Sequence, residues 1–133
     1  MSMDIWPRYF ILTPCGTLKP IQIPDEARPS RSYPLFAALA NVRNVYGVPP
    51  IAEPRTLPED LAPEDAHLRD AFALSLTEML AYDWMGPAWQ EVRSNIGGNV
   101  PLHWFTRHFR EKTLPALQAY QAEGEVYMLF FID

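Results

Sequence analysis

The stretch "EVYMLFFI", Glu125 to Ile132, decides the fold. It is short, rich in β-branched and aromatic residues, and follows Gly124, so it reads as a strand rather than a helix. It shows no regular polar alternation, so both of its faces want cover. A strand of that kind belongs in the middle of a sheet.

Its natural neighbour is "RYFILT" (Arg8–Thr13), which has the same β-branched and aromatic content. Cys15-Gly16 then supplies a turn, and "LKPIQI" (Leu18–Ile23) returns as a second strand. Pro20 cannot donate to a ladder, which keeps that strand at an edge. The two ends of the chain therefore meet in one small sheet. What lies between them reads as helices and proline-rich loops.

In "RSYPLFAALANVRNVYG" (Arg31–Gly47), Ser32 can cap a helix whose first turn holds Pro34. Leu35, Phe36, Leu39 and Val42 follow at helical spacing, and Asn44 and Gly47 are the expected terminators because both tolerate left-handed backbone angles. From Val48 to Pro63 the chain carries five prolines and no helical period, as a surface loop does. A short helix is expected around Pro63–Asp70. "SLTEMLAYDW" then opens with a capping box, Ser75 accepting from the amide three residues on while Glu78 reaches back. Leu76, Met79, Leu80 and Trp84 form its apolar stripe. A long helix is expected from Pro101 to about Ala122, with Asn99 as its cap, and Pro115 should kink or divide it. The expected architecture is one α+β domain spanning residues 1–133: a small, mainly antiparallel sheet with helices packed on one face.

Bulk composition narrows the function. A chain of 133 residues, 48% apolar and 13% aromatic, can bury a core without staples. Cys15 is the sole cysteine, which removes disulfide frameworks and cysteine-based zinc sites. No apolar run reaches the roughly 18–20 residues of a membrane span, and "MSMDIWPRYF" lacks the features of a secretory signal. The expectation is a cytoplasmic protein of the host cell. A net charge of −5 argues against a nucleic-acid partner. Eight of the sixteen acids lie between Glu53 and Asp83, whereas "HWFTRHFREK" (His103–Lys112) is locally basic.

Together these segments resemble a family of uncharacterised proteins found in bacteria and their phages. Members open with a strand containing Cys-Asp-Ile-His and continue through segments like "YxLFAxLAxVRN", "RGLPxD" and "LTxxELLAYDW" to a last strand ending in Phe-Asp. The matching segments here are Met3–Trp6, Tyr33–Asn44, Arg55–Asp60, Leu74–Trp84 and Phe131–Asp133. The resemblance implies fold and a phage or prophage origin, and no established activity comes with it. Two departures stand out: Trp6 replaces the histidine after Asp-Ile, and "RDAFAL" (Arg69–Leu74) stands where the family has a His-rich "GHSHSW". A member without those histidines is expected to bind rather than catalyse.

Two constellations could carry chemistry. In "SNIGGNVPLHWFTRHFR" (Ser94–Arg110), amides around Gly97 and Gly98 ahead of a helix could cradle an anion. Trp104 could stack a base, and His103, Arg107 or Arg110 could meet a phosphate. The plainer alternative is a turn followed by core aromatics. The second constellation is Arg43 with Asn44, Asp83 and Trp84, just past two apolar stripes, where the plainer alternative is a structural Arg–Asp pair. His103 and His108 lie five apart, off one helix face, so no metal site is expected, and no cofactor either. The function expected from these readings is inhibition of a host defence system, by sequestering a small nucleotide signal or by blocking a host protein, with a homodimer as one assembly. The alternatives are a phosphoester hydrolase built on Asp4, Arg43, Asp83 and His103, and a purely structural protein.

Overall fold

The computed structural model describes residues 2–61, 63, 65–92 and 99–133. It is an α+β fold built on a four-stranded antiparallel sheet in the order β2-β1-β4-β3. Strand β1 (Ile5–Leu12) and strand β4 (Glu125–Ile132) pair along their whole length, from Ile5 opposite Ile132 to Leu12 opposite Glu125. The two ends of the chain thus form the centre of the sheet, as their apolar content requires. β2 (Leu18–Ile21) is the edge beside β1, with Pro20 opposite Phe10.

The other edge is β3 (Phe72–Ser75), paired with β4 from Phe72 opposite Phe130 to Ser75 opposite Tyr127. It runs from within "RDAFAL" to Ser75 and is not among the strands expected from the sequence. Four residues are too few to display a period of two, and pairing with β4 is what makes them extended. Its outer side is covered, because the Ala73 amide donates to the Arg55 carbonyl at 2.8 Å.

Three α-helices occur among the described residues: α1 (Tyr33–Ala40), α2 (Leu76–Ala81) and α3 (Leu114–Gln118). They share one core with one face of the sheet, in which Phe36, Leu39, Met79, Trp89, Phe109, Leu117, Met128 and Phe130 are fully buried. The opposite sheet face carries a smaller cluster. There Phe10, Ala73 and Leu129 lie under Leu68 and Ala71, with Leu57 against them.

The caps follow the sequence closely at helix starts. Ser32 accepts from the Leu35 amide at 3.2 Å, and Ser75 and Glu78 form the reciprocal box. At the end of α1 the structure corrects the expectation. The helix stops at Ala40 because Asn41 takes the left-handed conformation, φ 55°, and its amide closes on the Ala37 carbonyl. Asn44 instead organises the loop that follows, donating to Asn41 Oδ1 and the Val48 carbonyl while accepting from the Val48 amide. Val42 therefore lies beyond the helix.

The expected long helix is segmented. A 3-10 turn (Leu102–Thr106) leads into a wider π-type stretch (Phe109–Thr113) and then α3. Pro115 lacks an amide and crowds the carbonyl four residues back, and the π-type widening just before it relieves that conflict. Gly124, at φ 151°, turns the chain into β4 where any Cβ would lie 2.3 Å from the Leu12 carbonyl oxygen. No helix of the described residues is long and apolar enough to cross a membrane.

Candidate functional site

The basic-aromatic segment lies on the 3-10 turn and the helical run after it. Trp104 is 41% exposed, large for an indole, and the Arg107 guanidinium lies 3.4 Å from its ring centroid. Arg107 Nη1 also donates to the Trp104 carbonyl at 3.1 Å, which fixes the cation on the ring. Phe105 packs edge-on against the indole at 5.2 Å. The result is a preformed stack of indole and guanidinium on the surface.

Arg110 is spent locally, on Thr106 Oγ1 at 3.1 Å and the His103 carbonyl at 2.9 Å. Gly97 and Gly98, expected to cradle an anion beside this stack, lie outside the described residues.

The second expected constellation is not joined by an ion pair. Among the described residues the ion pairs are Arg31–Asp4, Arg55–Glu78 and Lys19–Glu123. Arg43, at φ 46°, sets its guanidinium 5.7 Å from the Tyr33 ring. Asp83 Oδ1 accepts from the Met85 amide at 3.2 Å and so shapes the turn into Gly86. Trp84 is buried, its indole N–H donating to the Met79 carbonyl. Asp4 meets Arg31 rather than Arg43, through Nε at 2.9 Å and Nη2 at 2.6 Å. That pair holds the Asp4 carboxyl below its usual range, chiefly through the Arg31 hydrogen bond. No group of three or more His, Cys, Asp or Glu among the described residues could hold a metal ion.

A third group of residues, which sequence reasoning missed, converges where β1 runs on beyond β2. Trp6 and Phe131 are cross-strand partners on the outer sheet face, and the His67 ring lies 5.0 Å from Phe131. Trp6 is 56% exposed, with its indole N–H anchored on Asp133 Oδ1 at 2.8 Å. These rings, with Arg8 and Arg28, line a cavity of about 290 Å³. An adjoining cavity of about 280 Å³ shares Pro7, Arg8 and Arg28, and adds Tyr9, Gln22 and Asp25. The alternation of Trp6 and Arg8 on one strand face was the one signal available.

Arg28 is held there by the helical layer. After β2 the chain is pinned at three carbonyls: Tyr120 donates to that of Gln22 at 2.7 Å, Thr113 to that of Ala27 at 2.6 Å, and His108 Nε2 lies 2.8 Å from that of Arg28. His108 thus serves the linker.

Comparison with known proteins adds no assignment: no family model, curated protein or solved structure matches the chain.

Proposed function

We propose that the chain acts by binding a nucleotide-type ligand stoichiometrically rather than by catalysis. In this reading it is a phage or prophage accessory protein that restrains a host defence system by withholding that ligand. The observation that supports binding most directly is the Arg107 guanidinium fixed 3.4 Å over Trp104. Such a stack carries positive charge and a flat surface together, and neither side chain has to be ordered when a ligand arrives. A base can continue the stack on the exposed side of the guanidinium, and a phosphate can take its free edge. The biological setting rests on the resemblance of "LFAALANVRN" and "LTEMLAYDW" to the bacterial and phage family.

The test is calorimetric titration with cyclic and linear signalling nucleotides, followed by analysis of the nucleotide afterwards. Recovery of intact nucleotide at a fixed ratio supports sequestration. Trp104→Ala and Arg107→Ala should each weaken binding about tenfold with folding intact. Unchanged affinity in both variants would remove the site, and turnover of the nucleotide would favour the hydrolase reading.

A further inference from the structure

We propose that the cleft where β1 runs on beyond β2 is a second binding site, for a compact phosphomonoester bearing a planar ring, such as a nucleoside monophosphate or an aryl phosphate. It is independent of the Trp104–Arg107 stack and shares no residue with it.

The cleft exists because β1 outruns its partner. β1 has eight residues and β2 four, so pairing covers only Tyr9–Leu12. Beyond Ile21 the chain turns away and is held off the sheet by Tyr120, Thr113 and His108. The gap so formed is not suited to another strand. Asp4 and Asp133 exchange both backbone hydrogen bonds, so alternation along the ladder directs the Ile5 and Pro7 backbone groups outward. Pro7 has no amide to offer at that edge, which removes a rung that an added strand would need.

What the gap does offer is charge beside flat apolar surface. Arg8 and Arg28 are both exposed, line both cavities, and have no ion-pair partner among the described residues. Two guanidinium groups flanking one gap repel each other until an anion sits between them, and their forked donors match a phosphate. On the outer side, the anchored Trp6 indole, Phe131 and His67 provide ring surface for stacking. On the inner side lies Tyr9, whose buried hydroxyl has no hydrogen-bond partner among the described residues. Asp25, on the wall of that inner cavity, sets a limit on negative charge. Two cations against one carboxylate suit a single phosphate better than a triphosphate chain. Each cavity is near the lower end, about 300 Å³, of sites that hold small molecules, and the two adjoin.

Adenosine 5′-monophosphate and phenyl phosphate are the probes, titrated calorimetrically against the full chain, with adenosine and adenosine triphosphate as comparisons. The expected result is that both monophosphates bind in this cleft, with adenosine and the triphosphate each weaker there. Arg8→Ala and Arg28→Ala should each reduce affinity about tenfold. Trp6→Ala should reduce it for both monophosphates, and the binding that survives in Arg107→Ala should be the part that Arg8→Ala and Arg28→Ala remove. Both arginines are exposed, so their variants are expected to fold, and Arg8→Lys, which keeps charge but not the fork, should retain part of the affinity. Absence of binding by both monophosphates up to millimolar concentration would overturn the site. So would binding indifferent to Arg8 and Arg28. Binding lost only in Arg107→Ala would overturn this cleft while leaving the Trp104–Arg107 reading intact.

Discussion

Ser75 and Glu78 satisfy each other at the junction between β3 and α2: the Glu78 amide donates to Ser75 Oγ at 3.1 Å, and the Ser75 amide donates to Glu78 Oε1 at 3.0 Å. The same carboxylate takes the Arg55 guanidinium, whose backbone carbonyl accepts from Ala73 on the strand edge. One acid therefore joins a loop, a strand and a helix. Ser75→Ala should cost about 1 kcal/mol, and Glu78→Ala somewhat more because it also frees Arg55. Urea unfolding of the two variants checks both values. Desolvation raises the Glu78 carboxyl, but hydrogen bonds from Arg55 and Ser75 outweigh it and hold the group below its ordinary value. Its contribution is therefore fully present above the ordinary carboxylate pKa and is lost as pH falls through the lowered one. In Glu78→Gln that part of the acid sensitivity should disappear.

Gly124 is the tightest backbone position among the described glycines. At φ 151° with the Leu12 carbonyl 2.3 Å from where a Cβ would be, Gly124→Ala meets both strain and a clash with β1. A loss of about 3 kcal/mol is expected. Gly16, at φ 87° with open space around it, should lose only about 1 kcal/mol on the same change. Equal losses at the two positions, measured by urea unfolding, would contradict this account of the turn into β4.

Thr113 is fully buried and its hydroxyl holds the Ala27 carbonyl at 2.6 Å. Thr113→Val keeps the shape and removes the donor, which should cost about 1–2 kcal/mol. Because that bond holds the linker leading to Arg28, the variant should also show faster amide exchange across Gln22–Arg28. Hydrogen-exchange mass spectrometry of that segment is the direct measurement.

Cys15 stands exposed in the β1–β2 hairpin with Thr13 Oγ1 at 3.1 Å and Thr17 Oγ1 at 3.5 Å. Hydroxyl donation from Thr13, then Thr17, lowers the thiol to about 7. The alkylation rate should therefore rise through neutral pH with a midpoint near that value. Thr13→Val should move the midpoint upward toward an ordinary thiol.

How far these features were legible in the sequence depends on how local their causes are. The sheet centre was readable because Glu125–Ile132 and Arg8–Thr13 each carry their apolar character in one run. Helix starts were readable because each signal is local, Pro34 lying two residues after Ser32 and Glu78 three after Ser75. Phe72–Ser75 was not, since its extension comes from β4 and from the Arg55 carbonyl, 18 residues earlier than Ala73. Asn41 and Asn44 have the same side chain, and only the backbone geometry after Ala40 decides which one caps. Trp104 and Arg107 were visible as neighbours three apart. The cleft was not, because Trp6, Arg28, His67 and Phe131 come from four separate segments that only the folded sheet and the pinned linker bring together.

Binding without turnover is the central claim, and native mass spectrometry tests it most directly. The protein is measured as purified from its expression host and again after exposure to a pool of cyclic and linear nucleotides. The account predicts a captured, chemically intact nucleotide at fixed stoichiometry, reduced by one equivalent on combining Trp104→Ala with Arg107→Ala. A bare spectrum under both conditions, or release of a converted nucleotide, would contradict it.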